Sequence, residues 1–566
     1  MPGFEKICTA SGCAGTFLLA LVVLSAFDRP LEGQSTGSSA AVLSGTVKDA
    51  AGQPVAGALV KISSDQLGLV VVSQRDGRFE TSSRLIAGKY MVQAFGGTLQ
   101  SKPVEIGETK TTNLNLVLNS QLKVPVREKR ISDEELEKML PEGPGKRFAA
   151  DQCTSCHSLL PIVAARKTRA QWQESYNRML DDMYDMRKLM IYHQPSENSD
   201  LVLGYLAKSF GPDTPPDPRV TKELLLEPGG PAHPNRNLPA ALLKGPAAKY
   251  TALEFSLPEG ARARDVAVDS QGIAWVSEEN TGMLGRFEPA TLKYSRISVP
   301  AGKNPKSRLN AITVDAQDNV WFADDGPNGR IVKYEPKTGE FTDYLMPEYR
   351  FLVPPEMGWA RVETLRVTNG AVWAANIAAS RVLKLDLASR KIIDYSVPKG
   401  SLPFGLAVTG NNAWYSSENS SEVVKVDGRS GLLTKYYVPN IQEKERTDLR
   451  GLVSDKDGNL WVVATEKGKL LKLDAGTGHF ADFTPPSADS GPYAMDVDTK
   501  QDVVWFSEAY TDRIARFDPR NGGMVEYSQP SADEDVRRIE VDRSRPNRVW
   551  WAGHRAGKIG YIDVLE

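Results

Sequence analysis

Cys153-Thr-Ser-Cys156-His157 is the stretch of this 566-residue chain whose side-chain types and spacing point most directly to chemistry. Two thiols three residues apart, with an imidazole next door, meet the needs of covalent haem attachment. The thiols reach two vinyl groups and the histidine ligates the iron. The same residues are open to three other readings, half of a zinc site, a redox dithiol and a chance occurrence. Zinc asks for four ligands, and His193, His233, His479 and His554 are scattered and form no second pair. A thioredoxin-type dithiol asks for an α/β setting, whereas the flanking sequence is helical. Of the four cysteines, Cys8 and Cys13 precede an apolar run and leave with it if it is cleaved. The expectation is therefore one covalent haem c.

The elements that must position this motif lie in residues 130–212. "SDEELEKML" carries Ser132 as an N-cap with Glu135 three residues on, a capping box. "RAQWQESYNRMLDDMYDMRKLM" and "SDLVLGYLAKSF" read as two further helices. Met179, Met183, Met186 and Met190 recur at i, i+4, i+7 and i+11, one stripe along a helix. Such a stripe builds core as readily as it supplies a ligand, and at most one of the four can bind iron. "GPDTPPDPR" then breaks regular structure, opening a Pro-rich linker over 213–249.

Ahead of the helices, Lys6 and the run "FLLALVVLSAF" (17–27) read as a secretory signal over residues 1–34, with a retained anchor as the alternative. The run is too short for a secure transmembrane span, so none is expected after its removal. Residues 40–120 alternate apolar and polar residues between turn signals such as Asp76-Gly77, which suits a small β-sandwich acting as a spacer.

From residue 250 to 566 the chain repeats. Trp recurs at 275, 321, 373, 414, 461, 505 and 550, a spacing of 41 to 52 residues, the period of a propeller blade. The seventh unit lacks a fourth strand, and "YTALEFSLP" (250–258) is an orphan ahead of the first. Pairing the two closes a seven-bladed ring and leaves no open edge there. Inner-strand entries carry Arg264, Asn310, Glu363, Phe404, Arg450, Tyr493 and Arg537. Arg264, Arg450 and Arg537, with Glu278, Glu418 and Glu508 after the Trp strands, are expected at one ligand mouth. His554, just after Trp551, is the channel-proximal histidine and the candidate base.

Three resemblances accompany these patterns. Gly45 to Val60, with Asp76-Gly77-x-Phe79 and Gly88-x-Tyr90, resembles the carboxypeptidase regulatory-like domain, which implies a module without chemistry of its own. "CTSCHSL…RKTRAQWQESYNRML…VLGYLAKSFGP" resembles the short c-type cytochrome domains beside propellers in quinohaemoprotein amine dehydrogenases and related periplasmic enzymes. There the pattern supplies an axial Met. Arg166 or Arg169, Thr168, Trp172, Arg178 and Met179 match it in order, so the resemblance implies Met179 as sixth ligand. Met183 or His193 are the other choices. That family has a Gly soon after the Met, where this chain has "LDDMYDMRKLM". The propeller repeats, "LNAITVDAQDNVWFADD" and "VVWFSEAYTDRIARFDP" among them, resemble streptogramin B (virginiamycin B) lyases. That resemblance implies a Mg²⁺-dependent elimination using channel histidines, and most of those positions here are not His.

Charge is nearly balanced, 69 basic against 71 acidic residues, which argues against nucleic acid as a partner. The whole reads as a mainly β multidomain protein, sandwich then cytochrome c-like helices then propeller. It is expected to be periplasmic or secreted, transferring electrons to or from a redox partner protein or a small molecule at the mouth. The alternative is a propeller enzyme, a lyase or a dehydrogenase feeding the haem. Oligomeric state has no signature in the sequence.

Overall fold

The computed structural model describes residues 42–81, 85–86, 88–107, 113–122, 133–153, 159–182, 195–220, 235–302, 307–348, 360–368, 370–398, 401–418, 420–439, 447–487, 490–532 and 534–565. The expected signal (1–34), Cys156, His157, Met183, His193 and the side chains of Cys153 and Met179 lie outside the described residues.

Alternating sequence at the N-terminal end folds as strands: β1 (Ser44–Asp49), β2 (Leu59–Ser63), β3 (Leu67–Val72), β4 (Arg78–Glu80), β5 (Tyr90–Gly96), β6 (Leu99–Gln100), β7 (Val104–Ile106), β8 (Asn113–Leu118) and β9 (Ser120–Gln121). One sheet is β4-β1-β8, with β1 and β8 parallel; the other runs β3-β2-β5-β6-β9, with β7 beside β5. Val47, Phe79 and Leu116 of the first sheet share an apolar cluster with Val60, Leu69 and Val92 of the second, the two-layer solution for half-buried strands. Gly77 takes φ +76° in the turn before β4, and a Cβ there would meet Val47 O at 2.6 Å, so the motif glycine is required sterically.

The sandwich is not a free-standing spacer. Its edge strand β3 pairs with β10 (Tyr250–Ser256), Ala252 opposite Val70 and Phe255 opposite Leu67. The other edge of β10 pairs along Lys558–Val564, so the orphan strand does complete the last blade. Both edges of the closing strand are thereby occupied, which removes a site of edge-to-edge association. Within the expected linker, residues 235–249 form a packed strap. Asn237 is fully buried and donates to the carbonyls of Gln529 and Ser531 at 2.6 and 2.8 Å. Leu238 joins Leu122, Phe95 and Tyr250 in one apolar cluster, and Leu243 N donates to Gly57 O. Chain leaving the sandwich at Leu122 and chain returning at Leu238 thus meet at the same place, and the helices between them are an insertion.

Six blades are four-stranded antiparallel sheets over 263–298, 309–345, 362–396, 403–437, 449–483 and 492–528; the seventh is Val536–Val541, Arg548–Gly553, Lys558–Val564 and β10. The repeated Trp are buried between blades. Four of the indoles are also tethered: Trp275, Trp321, Trp461 and Trp550 donate to Asp269, Asp315, Asp455 and Asp542 at 2.8–3.0 Å. The same aspartates accept turn amides, as Asp455 does from Asp457 and Asn459, so one side chain fixes both turn and core. In blade 4, Thr409 takes the aspartate's place on Trp414. A cation from the next strand covers the ring, Lys384 over Trp373 at 5.0 Å and Lys472 over Trp461 at 5.3 Å.

The helical segment holds α1 (Asp133–Lys138), α2 (Lys146–Cys153), α3 (Leu160–Ala164), α4 (Arg169–Asp182) and α5 (Pro195–Ser209). Thr168 and Gln171 cap α4 reciprocally: Gln171 N donates to Thr168 Oγ1 and Thr168 N to Gln171 Oε1. Leu136, Leu160, Val163, Trp172, Val202 and Leu206 form an apolar cluster of this segment alone. Polar ends are satisfied inside it, Trp172 Nε1 on Phe210 O and Tyr205 Oη on Pro141 O. Among the described residues no helix is long and apolar enough to cross a membrane.

Candidate functional site

Every inner strand of the propeller starts with a register shift against its neighbour, for example between Ala263 and Asp265 and between Val536 and Arg538. A bulge re-aims the side chain that precedes it. Arg264, Asn310, Glu363, Phe404, Arg450, Tyr493 and Arg537 therefore occupy equivalent positions around one mouth of the ring.

Half of that ring closes on itself. Arg264 of blade 1 donates to Asn310 of blade 2 at 2.7 Å and to Glu363 of blade 3 at 2.7 Å. Arg538 of blade 7 reaches the same carboxylate at 3.1 Å, and Arg361 at 2.6 Å. Burial alone would raise the pKa of Glu363, but the guanidiniums of Arg264, Arg361 and Arg538 outweigh it and hold the group well below the usual carboxylate range. The network spans the axis, so the mouth has a floor. Beneath it lies a cavity of ≈ 30 Å³ bordered by Asp265, Thr364, Phe404, Met495, Arg538 and Glu540. That is room for about two waters. Burial pushes Asp265 up to about 6 and Glu540 up to about 7.

The other arc runs from blade 4 through blades 5, 6 and 7 to blade 1. Arg450 donates to Tyr493 Oη at 2.8 Å, pairs with Glu418 at 2.7 Å and lies 4.5 Å from the Tyr493 ring centre. Phe404 meets Tyr493 edge-on at 5.8 Å, and Arg538 lies 5.3 Å from the Phe404 ring centre. His554 Nε2 is 2.7 Å from Glu279, and its Nδ1 is 3.6 Å from Asp535. Arg308 pairs with Glu279 and Arg537 with Asp535. Burial opposes ionisation of both acids, yet the His554 contact and neighbouring guanidiniums draw Glu279 and Asp535 well below their ordinary values. The result is a rim of alternating charges bearing an imidazole held by two carboxylates, which suits hydrogen-bonded recognition and proton exchange.

Arg264, Arg450, Arg537, Glu418 and His554 therefore come together at the mouth. Glu278 and Glu508 do not share in it. Glu278 accepts from Tyr294 Oη and Arg296 Nε, both on the outer strand of its own blade, and from Thr281 Oγ1. Glu508 is buried against Thr511 and close to Glu526, and burial followed by Glu526 pushes it up to about 8. Glu279, Asp535, Arg361 and Arg538 were not singled out by the sequence reading. The signal for Arg538 was the doubled Arg537-Arg538, in which a bulge turns both residues inward.

In the helical segment, α2 ends at Cys153 and Met179 falls near the end of α4. Among the described residues no group of three His, Cys, Asp or Glu stands together as a metal site.

Residues 42–119 match the carboxypeptidase regulatory-like domain. No curated protein matches the chain. Among solved structures, a streptogramin B lyase is 22% identical, with TM-score 0.49, over 57% of this chain and 100% of that one. Virginiamycin B lyase from Staphylococcus aureus is 20% identical, with TM-score 0.48, over 56% of this chain and 100% of that one. A catalytically inactive histidine-to-alanine variant of that lyase with quinupristin gives the same figures. The seven blades here follow from strand pairing alone, and the N-terminal sandwich is the part of the chain that a family model covers.

Proposed function

We propose that the chain is an exported c-type cytochrome, with one haem held by the helical segment and a propeller mouth that recognises a small molecule or redox partner protein. The observation that carries this is the Cys153-x-x-Cys156-His157 motif in the sequence, whose first residue ends α2 of a helical segment with its own apolar core. The donor set fits a haem: Cys153 and Cys156 would hold the porphyrin, and His157 and Met179 the iron, with Met183 or His193 as the other sources of a sixth ligand. Haem bound this way supplies one-electron transfer. The chain's own part is burial and orientation. Trp172, Val202 and Leu206 are closed to water, and the cap at Thr168 sets where α4 begins, hence where Met179 falls. Expression with a c-type maturation system should give covalently bound haem with a c-type visible spectrum, and protein without covalent haem would refute the reading.

One contact favours a second reading, catalysis at the mouth: His554 sits 2.7 Å from Glu279, an oriented base. Under it, Mg²⁺ would accompany a lyase-type elimination, and a dehydrogenase would need no such ion. Substrate-dependent haem reduction would favour the dehydrogenase, and cyclic depsipeptide cleavage independent of redox state the lyase.

A further inference from the structure

The seam between the N-terminal sandwich and blade 7 holds three acids and three bases on six different elements. Lys558 Nζ contacts Glu254 Oε1 of β10 at 2.5 Å and Ser531 Oγ at 2.7 Å. Arg236 of the strap pairs with Asp512, from the turn within blade 6. Lys61 of β2 donates to Asn237 Oδ1 at 3.1 Å and lies 5.9 Å from the Phe95 ring centre. The sixth group, Glu534, is left over. It is fully buried in the loop entering blade 7, and neither carboxylate oxygen has a hydrogen-bond partner. Lys558 stands 3.8 Å away, and the Trp551 indole lies beside it.

That loop also clamps the sandwich. Ser531 N donates to Glu254 Oε2 at 3.0 Å, and Asn237 holds the carbonyls of Gln529 and Ser531. A Cβ on Gly68 of β3 would meet Glu254 Oε1 at 2.8 Å and Pro530 Cβ at 3.1 Å, so Glu254 and Pro530 lie directly on the docked strand. Lys558 thus stands between two carboxylates, and the one it contacts secures the docking loop.

We propose that this seam is a proton-dependent latch: with Glu534 neutral, Lys558 stays on Glu254 and β3 stays paired with β10; ionised Glu534 draws Lys558 away and loosens the pairing. A buried carboxylate favours its neutral form, and burial followed by Glu254 pushes Glu534 well above the usual range. The sign follows. Stability from a raised carboxyl is complete below its ordinary pKa and falls as pH rises through the folded value. Asp512 and Glu254 add to the effect by repulsion, while Lys558 opposes it. Lys61, lowered to about 8 by burial, keeps its charge below that pH and leaves the window beneath it to Glu534.

The test is amide hydrogen exchange in β3 of the full chain at pH 5.5 and 7.5, corrected for intrinsic exchange. Protection in the wild type should fall by about tenfold or more between the two. In Glu534→Gln the change should shrink to under about threefold, with protection at pH 7.5 above wild type. Lys558→Met should loosen β3 at both pH values. An unchanged fall in Glu534→Gln, or wild-type protection in Lys558→Met, would overturn the latch.

Discussion

The helical segment and the propeller mouth divide the polar chemistry of this chain in opposite ways. The sequence of the helical segment supplies soft donors, two thiols, an imidazole and a row of thioethers, and the buried residues described there are almost all apolar. The mouth carries hard charges, each carboxylate facing a guanidinium or an imidazole, across a blade boundary for Glu363, Glu279 and Glu418 and within blade 7 for Asp535. Soft donors in a dry frame suit a tightly held cofactor of low charge. Compensated charges on a rigid ring suit recognition, because they are oriented before a partner arrives. Under the proposed reading, one region exchanges electrons and the other selects the partner.

That division can be broken on either side. Cys156→Ala should abolish stable covalent haem while leaving the far-ultraviolet spectrum of the β structure unchanged, seen on a haem-stained denaturing gel and by circular dichroism. Glu363→Ala leaves Arg264, Arg361 and Arg538 without their shared carboxylate. It should cost about 3–5 kcal/mol of propeller stability, read from denaturant midpoints, with haem content untouched. A smaller effect comes from pH. Asp265 at about 6, Glu540 at about 7 and Glu508 at about 8 are raised by burial, so their stabilisation falls as pH rises through those values. The melting temperature should accordingly be lower at pH 8.5 than at pH 5. Met179→Ala should shift the reduced haem spectrum without loss of haem; an unchanged spectrum would pass the sixth position to Met183 or His193. Lys456→Ala breaks an exposed pair with Asp457 and should change nothing measurable.

The blades were legible because each one repeats one local pattern, a tight turn and a Trp on the following strand, so seven copies reinforce it. Closure by residues 250–256 was legible too, since a three-stranded last unit and an orphan strand have one economical pairing. The β3–β10 junction was not. Strand addition between segments some 180 residues apart uses backbone hydrogen bonds, which leave no periodicity in side chains. The strap was hidden for a related reason: its Pro-rich composition reads as linker, while Asn237 is buried by partners nearly 300 residues away. At the mouth, the ring positions could be read from the repeat, whereas the side that an acid after the Trp faces turns on one residue of strand register. Glu278 stands three residues after Trp275 and Glu418 four after Trp414, so strand alternation sends them to opposite sides. Arg296 and Tyr294 draw the first outward, and Arg450 draws the second to the mouth.

The most direct test of the account is a visible spectrum of the purified chain, matured for c-type haem, oxidised and then reduced, alongside Cys153→Ala/Cys156→Ala. The account predicts one haem per chain that survives denaturation and acid–acetone extraction, and none in the double variant. A chain that folds its propeller and takes up no covalent haem would contradict it.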